Sequence, residues 1–344
     1  ESVISADVTL TARFGWNGTT VATSLSGDGT EASPYLIGSG AELKYLSVNY
    51  ATLHGASKYF KLTADINLNE KAWTPIGTVA SPFKGVFVGN DKAVTGMVVN
   101  GASGLGLFGA VAESTIENLT VEGNVTATGG VVGILTGQIQ CGSTIENVTT
   151  NGTVTGGATD VGGIAGNVLK GTYTGASTAM VTIKNCTNYA TVTCNLVGKT
   201  ACTGGIVGST TPAVTITDCK NYGIITSKGN FVGGIVGLPR ASATSVVENC
   251  KNFGNINGVT GVGGIAGGNR VSIKTSYCKA DALLNGVAAS TYDIVGKNTK
   301  APIVGTVSIG VIIGQQDDNN STYATIDTAS GLCDADGNPI TANA

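Results

Sequence analysis

A short glycine-rich block recurs down this chain in a pattern that no ordinary single-core globule needs. It reads VGGIAG at 161–166, TGGIVG at 203–208, VGGIVG at 232–237 and VGGIAG at 262–267, with weaker copies GLGLFG at 104–109 and TGGVVG at 128–133. The final glycines fall at 109, 133, 166, 208, 237 and 267, so the successive steps are 24, 33, 42, 29 and 30. A period of roughly 30 residues marks a stacked array, in which each unit buries its apolar side against the next and the outer faces run long and flat.

Each block has a repeating second half. The copies are TIENLTVEGNV (115–125), TIENVTTNGTV (144–154), TIKNCTNYATV (182–192), TITDCKNYGII (215–225), VVENCKNFGNI (246–256) and a degenerate KTSYCKADALL (274–284). Aligned without gaps, one column holds Leu119, Val148, Cys186, Cys219, Cys250 and Cys278. Another, six residues on, holds Val125, Val154, Val192, Ile225, Ile256 and Leu284. Gly123, Gly152, Ala190, Gly223, Gly254 and Ala282 form a small column of the same parity between them. Period-two alternation of this kind is the mark of a half-buried strand. An apolar column that persists from copy to copy is a side chain stacked on its equivalent one coil away.

The reading is an all-β chain forming a parallel β-helix, right-handed by the usual crossover preference. In the copy at 215–237 three short strands are expected, around Val214–Ile216, Tyr222–Thr226 and Phe231–Val236. Composition agrees, with Gly at 52 of 344 residues and only 12% charged residues. The glycines are read as places of close backbone approach or bends at coil corners. A phosphate loop is excluded, because no Lys-Ser/Thr pair and no helix pattern follows them.

The organisation divides into an N-terminal β segment (1–30), the parallel β-helix (31–300) and a C-terminal β cap (301–344). Residues 1–26 carry VTLTARF, a Trp16-Asn17-Gly18 turn and TTVATSL, which reads as a small hairpin or the remnant of a preceding β-domain. The stretch 39–53 is the one clear helix, with Ser39 and Glu42 in capping-box spacing and Leu43, Leu46 and Tyr50 at helical intervals. Laid across the first coil, it would cover an open strand edge. Past 300, DADGNP at 334–339 reads as a hairpin turn rather than a calcium loop, since Gly337 comes too early for one.

The classes excluded are clear. No apolar run is long enough for a membrane span, which takes about 18 residues or more. A net charge of −3 without a basic stripe disfavours nucleic acid. No secretory signal is read, which fits a trimmed mature form. No cofactor or metal site is expected.

The series GDGTEASPYLI (27–37), YFKLTADINL (59–68), WTPIG (73–77), FKGVFVGN (83–90) and GLFG (106–109) resembles, in its order, bacterial surface proteins carrying GLUG repeats, over roughly 27–300. The resemblance implies an exported bacterial protein at the cell surface or outside the cell, adhesin-like. It implies no catalytic residue, because the repeats themselves carry none.

Residues able to do chemistry are few. His54 is the one histidine, at the end of the expected helix, where packing is the simplest role. Glu117, Glu146 and Glu248 share a column with Lys184, Thr217 and Ser276. Neighbouring carboxylates at strand spacing of about 4.8 Å approach the separation in retaining glycosidases, yet a solvated outward column explains them. Spacings of 33, 31 and 28 among Cys186, Cys219, Cys250 and Cys278 are repeat spacings, not zinc spacings. They read as buried thiols whose parallel Cβ directions keep them unbridged. Cys194 and Cys202, in the longest step, could form a local disulfide.

The ligand-binding candidates are Tyr189, Tyr222 and Phe253, which align in an outward column with Glu122, Asn151 and Asp281. Such rings either stabilise the sheet by pairing with each other or form a binding strip for a sugar or a partner protein. The function expected is a non-catalytic, adhesin-like surface protein recognising a glycan or a host or partner protein. The alternatives are a structural stalk, or a polysaccharide lyase or hydrolase on a β-helix.

Overall fold

The computed structural model describes residues 15–157, 159–171, 176–240, 245–268, 271–292, 309–315, 326 and 329–340. The first part of the expected N-terminal hairpin, VTLTARF, lies outside the described residues. The described chain is a parallel β-helix. Its strands pair in parallel with those one coil before and one coil after, and the antiparallel pairings are confined to the two ends of the sequence and to Leu283–Leu284 against Val287–Ala288.

Columns hold the stack together. Tyr35, Phe60, Phe87, Ile116, Ile145, Ile183, Ile216, Val247 and Ile273 lie in register, one per coil. From Phe60 onward all are fully buried. The expected second column, Val125, Val154, Val192, Ile225, Ile256 and Leu284, is equally in register and buried. Each such side chain contributes about 1.5–3 kcal/mol on burial. That return comes only when neighbouring coils supply the other wall.

The glycine block is a sharp inward bend between two strand legs. In the copy at 203–208 the strand Thr191–Gly204 ends, Gly205 and Ile206 turn, and the strand Val207–Thr210 begins. A Cβ on Gly204 would collide with the Val207 carbonyl. One on Gly205 would collide with the Asn221 side chain and the Gly234 carbonyl. One on Gly208 would sit 2.6 Å from the Val161 amide nitrogen of the preceding coil. The three glycines therefore answer three separate contacts, and Ile206 between them is fully buried.

The helix Gly40–Leu53 closes the N-terminal end. Its cap is a variant of the expected box: the Glu42 amide donates to Ser39 Oγ at 3.3 Å, and Glu42 Oε2 reaches one residue past the N-cap to accept from the Gly38 amide at 2.8 Å. Leu43 and Leu46 enter the core. Trp16 is nearly buried and packs edge-on to Trp73 at 6.0 Å. At the other end, Ile309–Gly310 and Ile313–Gln315 extend the parallel stack beyond the Val262 and Ala266 rungs. An antiparallel hairpin of Gly331–Cys333 with Pro339–Ile340 forms the terminal β cap. Its turn is the expected one, with Asp334 Oδ1 accepting from the Asp336 and Asn338 amides.

Three details differ from expectation. No strand starts at Tyr222: Tyr222, Gly223 and Ile224 make a corner between Lys220–Asn221 and Ile225–Gly233. The stretch Phe231–Val236 is not continuous, because the glycine bend divides it at Gly234 and Ile235. The gap-free alignment also fails in the last copy. Cys278 lies opposite Asn252 rather than Cys250, and Lys274, not Ser276, lies opposite Glu248. Register is regained at Leu284 opposite Ile256, so this copy carries two extra residues between Cys278 and Leu284.

Candidate functional site

Just before the Leu/Val/Cys column, every copy must turn a corner with one residue in the left-handed region. Asn118, Asn147, Asn185, Asp218 and Asn249 do so with φ between 50° and 55°, and Thr275 with φ 41°. Asn and Asp tolerate this conformation because their short polar side chains bond locally. Here the bonds run up the stack. Asn147 Nδ2 donates to Asn118 Oδ1 at 2.8 Å, and Asn185 Nδ2 to Asn147 Oδ1 at 2.5 Å. Four of the corners, Asn147, Asn185, Asp218 and Asn249, line a surface groove of about 660 Å³. Lys184, Lys220, Lys251 and Tyr277 flank it, and Gly337 and Pro339 of the terminal hairpin close one end.

Four residues beyond each corner lies the aromatic column. Tyr189 is 51% exposed and Tyr222 40%, while Phe253 is half-buried. Backbone bonds from the Tyr222 amide to the Asn188 carbonyl and from the Phe253 amide to the Asn221 carbonyl hold them one coil apart. The rings stack face to face: 5.0 Å and 11° for Tyr189 with Tyr222, then 4.6 Å and 5° for Tyr222 with Phe253. The column is outward, as expected, and the three rings meet. Their broad faces largely cover one another, so the ladder offers ring edges and the two tyrosine hydroxyls to solvent.

Between groove and ladder lies a buried row that period-two reading passed over. Asn188, Asn221 and Asn252 are in register and fully buried. Asn188 Nδ2 donates to Asn221 Oδ1, and Asn221 Nδ2 to Asn252 Oδ1, both at 2.8 Å. Each amide also donates to the carbonyl two residues on, at 2.9–3.0 Å. Thr150 starts the row, donating to Asn188 Oδ1 at 2.9 Å. Cys278 ends it as a weak acceptor 3.7 Å from Asn252 Nδ2. The signal for this row was parity: these asparagines share the phase of the apolar columns.

The other candidates are placed as follows. Glu117 and Glu146 are neighbouring rungs, and Lys184 forms an ion pair with Glu146 at 2.9 Å. His54 Nδ1 accepts from the Lys84 amide at 3.2 Å, and burial together with the Lys84 charge lowers its pKa. All eight cysteines are buried thiols, and the local disulfide between Cys194 and Cys202 is not formed. Cys186, Cys219 and Cys250 each donate to carbonyls, the nearest at 3.2–3.3 Å. Burial raises the pKa of Cys186 and Cys219 well above the usual thiol value, and pushes Cys278 up to about 12. Among the described residues no group of three or more His, Cys, Asp or Glu is arranged to hold a metal ion.

Comparison with known proteins gives fold and context. The solved structure of a Bacteroides ovatus protein provisionally named an immunoglobulin A1 protease superposes with a TM-score of 0.63, covering 85% of this chain and 86% of that one. At 23% identity the likeness is one of fold. A protein of Evansella cellulosilytica provisionally named a Gly-rich membrane protein is 35% identical over 107 residues. That match covers 28% of this chain and 12% of the relative, so the chain corresponds to a small part of the relative's length. No family model matches the chain.

Proposed function

We propose that this chain is a non-catalytic, adhesin-like binding solenoid of a bacterial surface, of the GLUG-repeat kind, which engages a glycan or a partner protein on its corner-and-ladder face. The observation that carries this reading is the juxtaposition of the polar corner groove with the outward Tyr189–Tyr222–Phe253 ladder on consecutive coils. Amide, hydroxyl and ammonium groups repeating at strand spacing suit a ligand that itself repeats. Similarity to a bacterial Gly-rich membrane protein supports a place at the cell surface. Among the described residues no helix is long and apolar enough to cross a membrane.

The non-catalytic part rests on how the candidate acids and base are engaged. Glu146, although next to Glu117 in the column, is held in an ion pair by Lys184, and His54 Nδ1 accepts from a backbone amide. A spacer role is the second reading. It is favoured by the self-stacking of the ladder, which commits ring faces to neighbouring coils.

The test displays the protein on cells and screens it against glycans and matrix proteins. The variant Tyr189→Ser/Tyr222→Ser/Phe253→Ser is carried alongside. Two stacked pairs are worth about 0.5–1.5 kcal/mol each, so the variant should fold while adhesion weakens. A folded variant that adheres as well as the parent removes the ladder from the binding face. A parent that adheres to nothing leaves the spacer reading.

A further inference from the structure

Lys220 and Lys251 face each other in register on adjacent coils. Like charges directly opposite across a ladder destabilise it. No carboxylate lies within ion-pair distance of either lysine among the described residues, in contrast to Lys184, which has Glu146. Lys220 is exposed and Lys251 half-buried, both at the groove wall. Tyr277 continues the same column one coil further. Across the groove floor stand Asn185, Asp218 and Asn249, one per coil.

The repeat is regular enough to be a ruler. Five successive coils contribute lining residues, from Glu146 to Tyr277, a run of about 19 Å at roughly 4.8 Å per coil. A linear chain of pyranose units advances by a similar distance per unit. Four of these coils then offer one floor side chain each for hydroxyl groups, Asn147, Asn185, Asp218 and Asn249, and the paired lysines offer a seat for an acidic substituent. Apart from Tyr277, Gly337 and Pro339, every lining side chain is charged or an amide.

We infer that the corner groove binds an acidic polysaccharide lying along the solenoid axis, with a carboxylate or sulfate group held between Lys220 and Lys251 and a sugar ring against Tyr277. This rests on the binding-solenoid reading and names its ligand class and subsite. Binding should fall as sodium chloride rises, since exposed charges are screened over about 8–10 Å at physiological ionic strength.

The experiment measures the affinity of the full chain for sodium polygalacturonate, heparin, neutral dextran and poly-glutamate, by immobilised-polymer binding. Binding to polygalacturonate alone assigns a carboxylate, and binding to heparin alone a sulfate. Lys220→Gln/Lys251→Gln should lose roughly tenfold in affinity. Tyr277→Ser should weaken the acidic sugars and leave poly-glutamate unchanged. Circular dichroism and hydrogen exchange confirm that the variants fold. Equal binding to dextran, or a lysine variant that binds like the parent, overturns the acidic groove while the wider reading stands. Poly-glutamate binding as tight as the sugars, with the same lysine dependence, overturns the saccharide assignment. No binding to any of the four, together with a negative display screen, overturns both.

Discussion

Replacing Asn221 tests whether the buried asparagine row holds the coils together. Its Nδ2 donates to the Gly223 carbonyl at 3.0 Å and to Asn252 Oδ1 at 2.8 Å, and its Oδ1 accepts from Asn188 Nδ2 at 2.8 Å. Asn221→Ala removes all three. At about 1 kcal/mol net per bond the loss is roughly 3 kcal/mol. Asn188 Nδ2 keeps the Ala190 carbonyl as a partner, which limits the further cost, whereas Asn252 Oδ1 loses its donor from the preceding coil.

Asn221→Asp keeps the shape and reverses the chemistry. A carboxylate oxygen would replace Nδ2 and face two acceptors, the Gly223 carbonyl and Asn252 Oδ1. Burial raises a carboxyl pKa above the unfolded value of about 3.9. A raised acid costs nothing extra below its unfolded pKa and progressively more as pH climbs through the folded one. The Asp variant should therefore be less stable than the Ala variant at neutral pH and approach it near pH 4. Hydrogen exchange with mass spectrometry reads this locally, and it is preferred because long repeat arrays unfold without full cooperativity. If protection across coils 182–256 in Asn221→Ala stays within about 0.5 kcal/mol of the parent, the row is not a stabilising element.

Gly205→Ala should be far more damaging than Gly55→Ala. The added methyl at Gly205 meets the Asn221 side chain and the Gly234 backbone, whereas at Gly55 its one neighbour is Lys58 Cγ at 3.6 Å. Urea midpoints of the two variants compare them, and equal midpoints would show that the inward bend relaxes freely. Cys186, Cys219, Cys250 and Cys278 should resist thiol reagents in the folded protein and label fully once it is unfolded without reductant. Protection of any pair in the unfolded chain would reveal a bridge. Because burial holds Cys278 up near 12 against an ordinary 9.0, its stabilising contribution is complete below pH 9 and is lost as pH rises toward 12. Thermal melts across that window should fall in the parent more steeply than in Cys278→Ser.

The stack was legible because its columns repeat in type. Val125 to Leu284 and the thiols at 186, 219 and 250 occupy the buried columns that alternation implies. The capping box at Ser39 was legible because its chemistry is local. What escaped notice has physical causes. Alternation runs unbroken through Tyr222-Gly223-Ile224, although the chain turns there, since a corner residue can point outward as a strand residue does. The two extra residues after Cys278 were hidden because a small thiol suits either the apolar column or the end of the amide row. The corner groove was missed because Asn147, Asn185, Asp218 and Asn249 follow outward charged residues or Thr217 and read as ordinary solvated polars. Only the left-handed backbone distinguishes them.

The architecture separates what must be constant from what can vary. Inward positions are tied to neighbours above and below: Gly205 must yield to Asn221, and Asn221 must meet Asn188 and Asn252. Outward side chains bond or stack on one another, as Asn147 does on Asn118 and Tyr222 on Phe253, while the backbone pairing of the Tyr222 amide with the Asn188 carbonyl does not depend on which side chain is displayed. One outward column therefore changes from Glu122 and Asn151 to Tyr189, Tyr222 and Phe253 without disturbing the stack. The adjoining one changes from Thr187 to Lys220, Lys251 and Tyr277. A surface with this freedom acquires recognition rung by rung. Two successive coils carry lysine and the next an aromatic ring, which is the ground on which a repeating acidic ligand, rather than a single small molecule, is proposed for this groove.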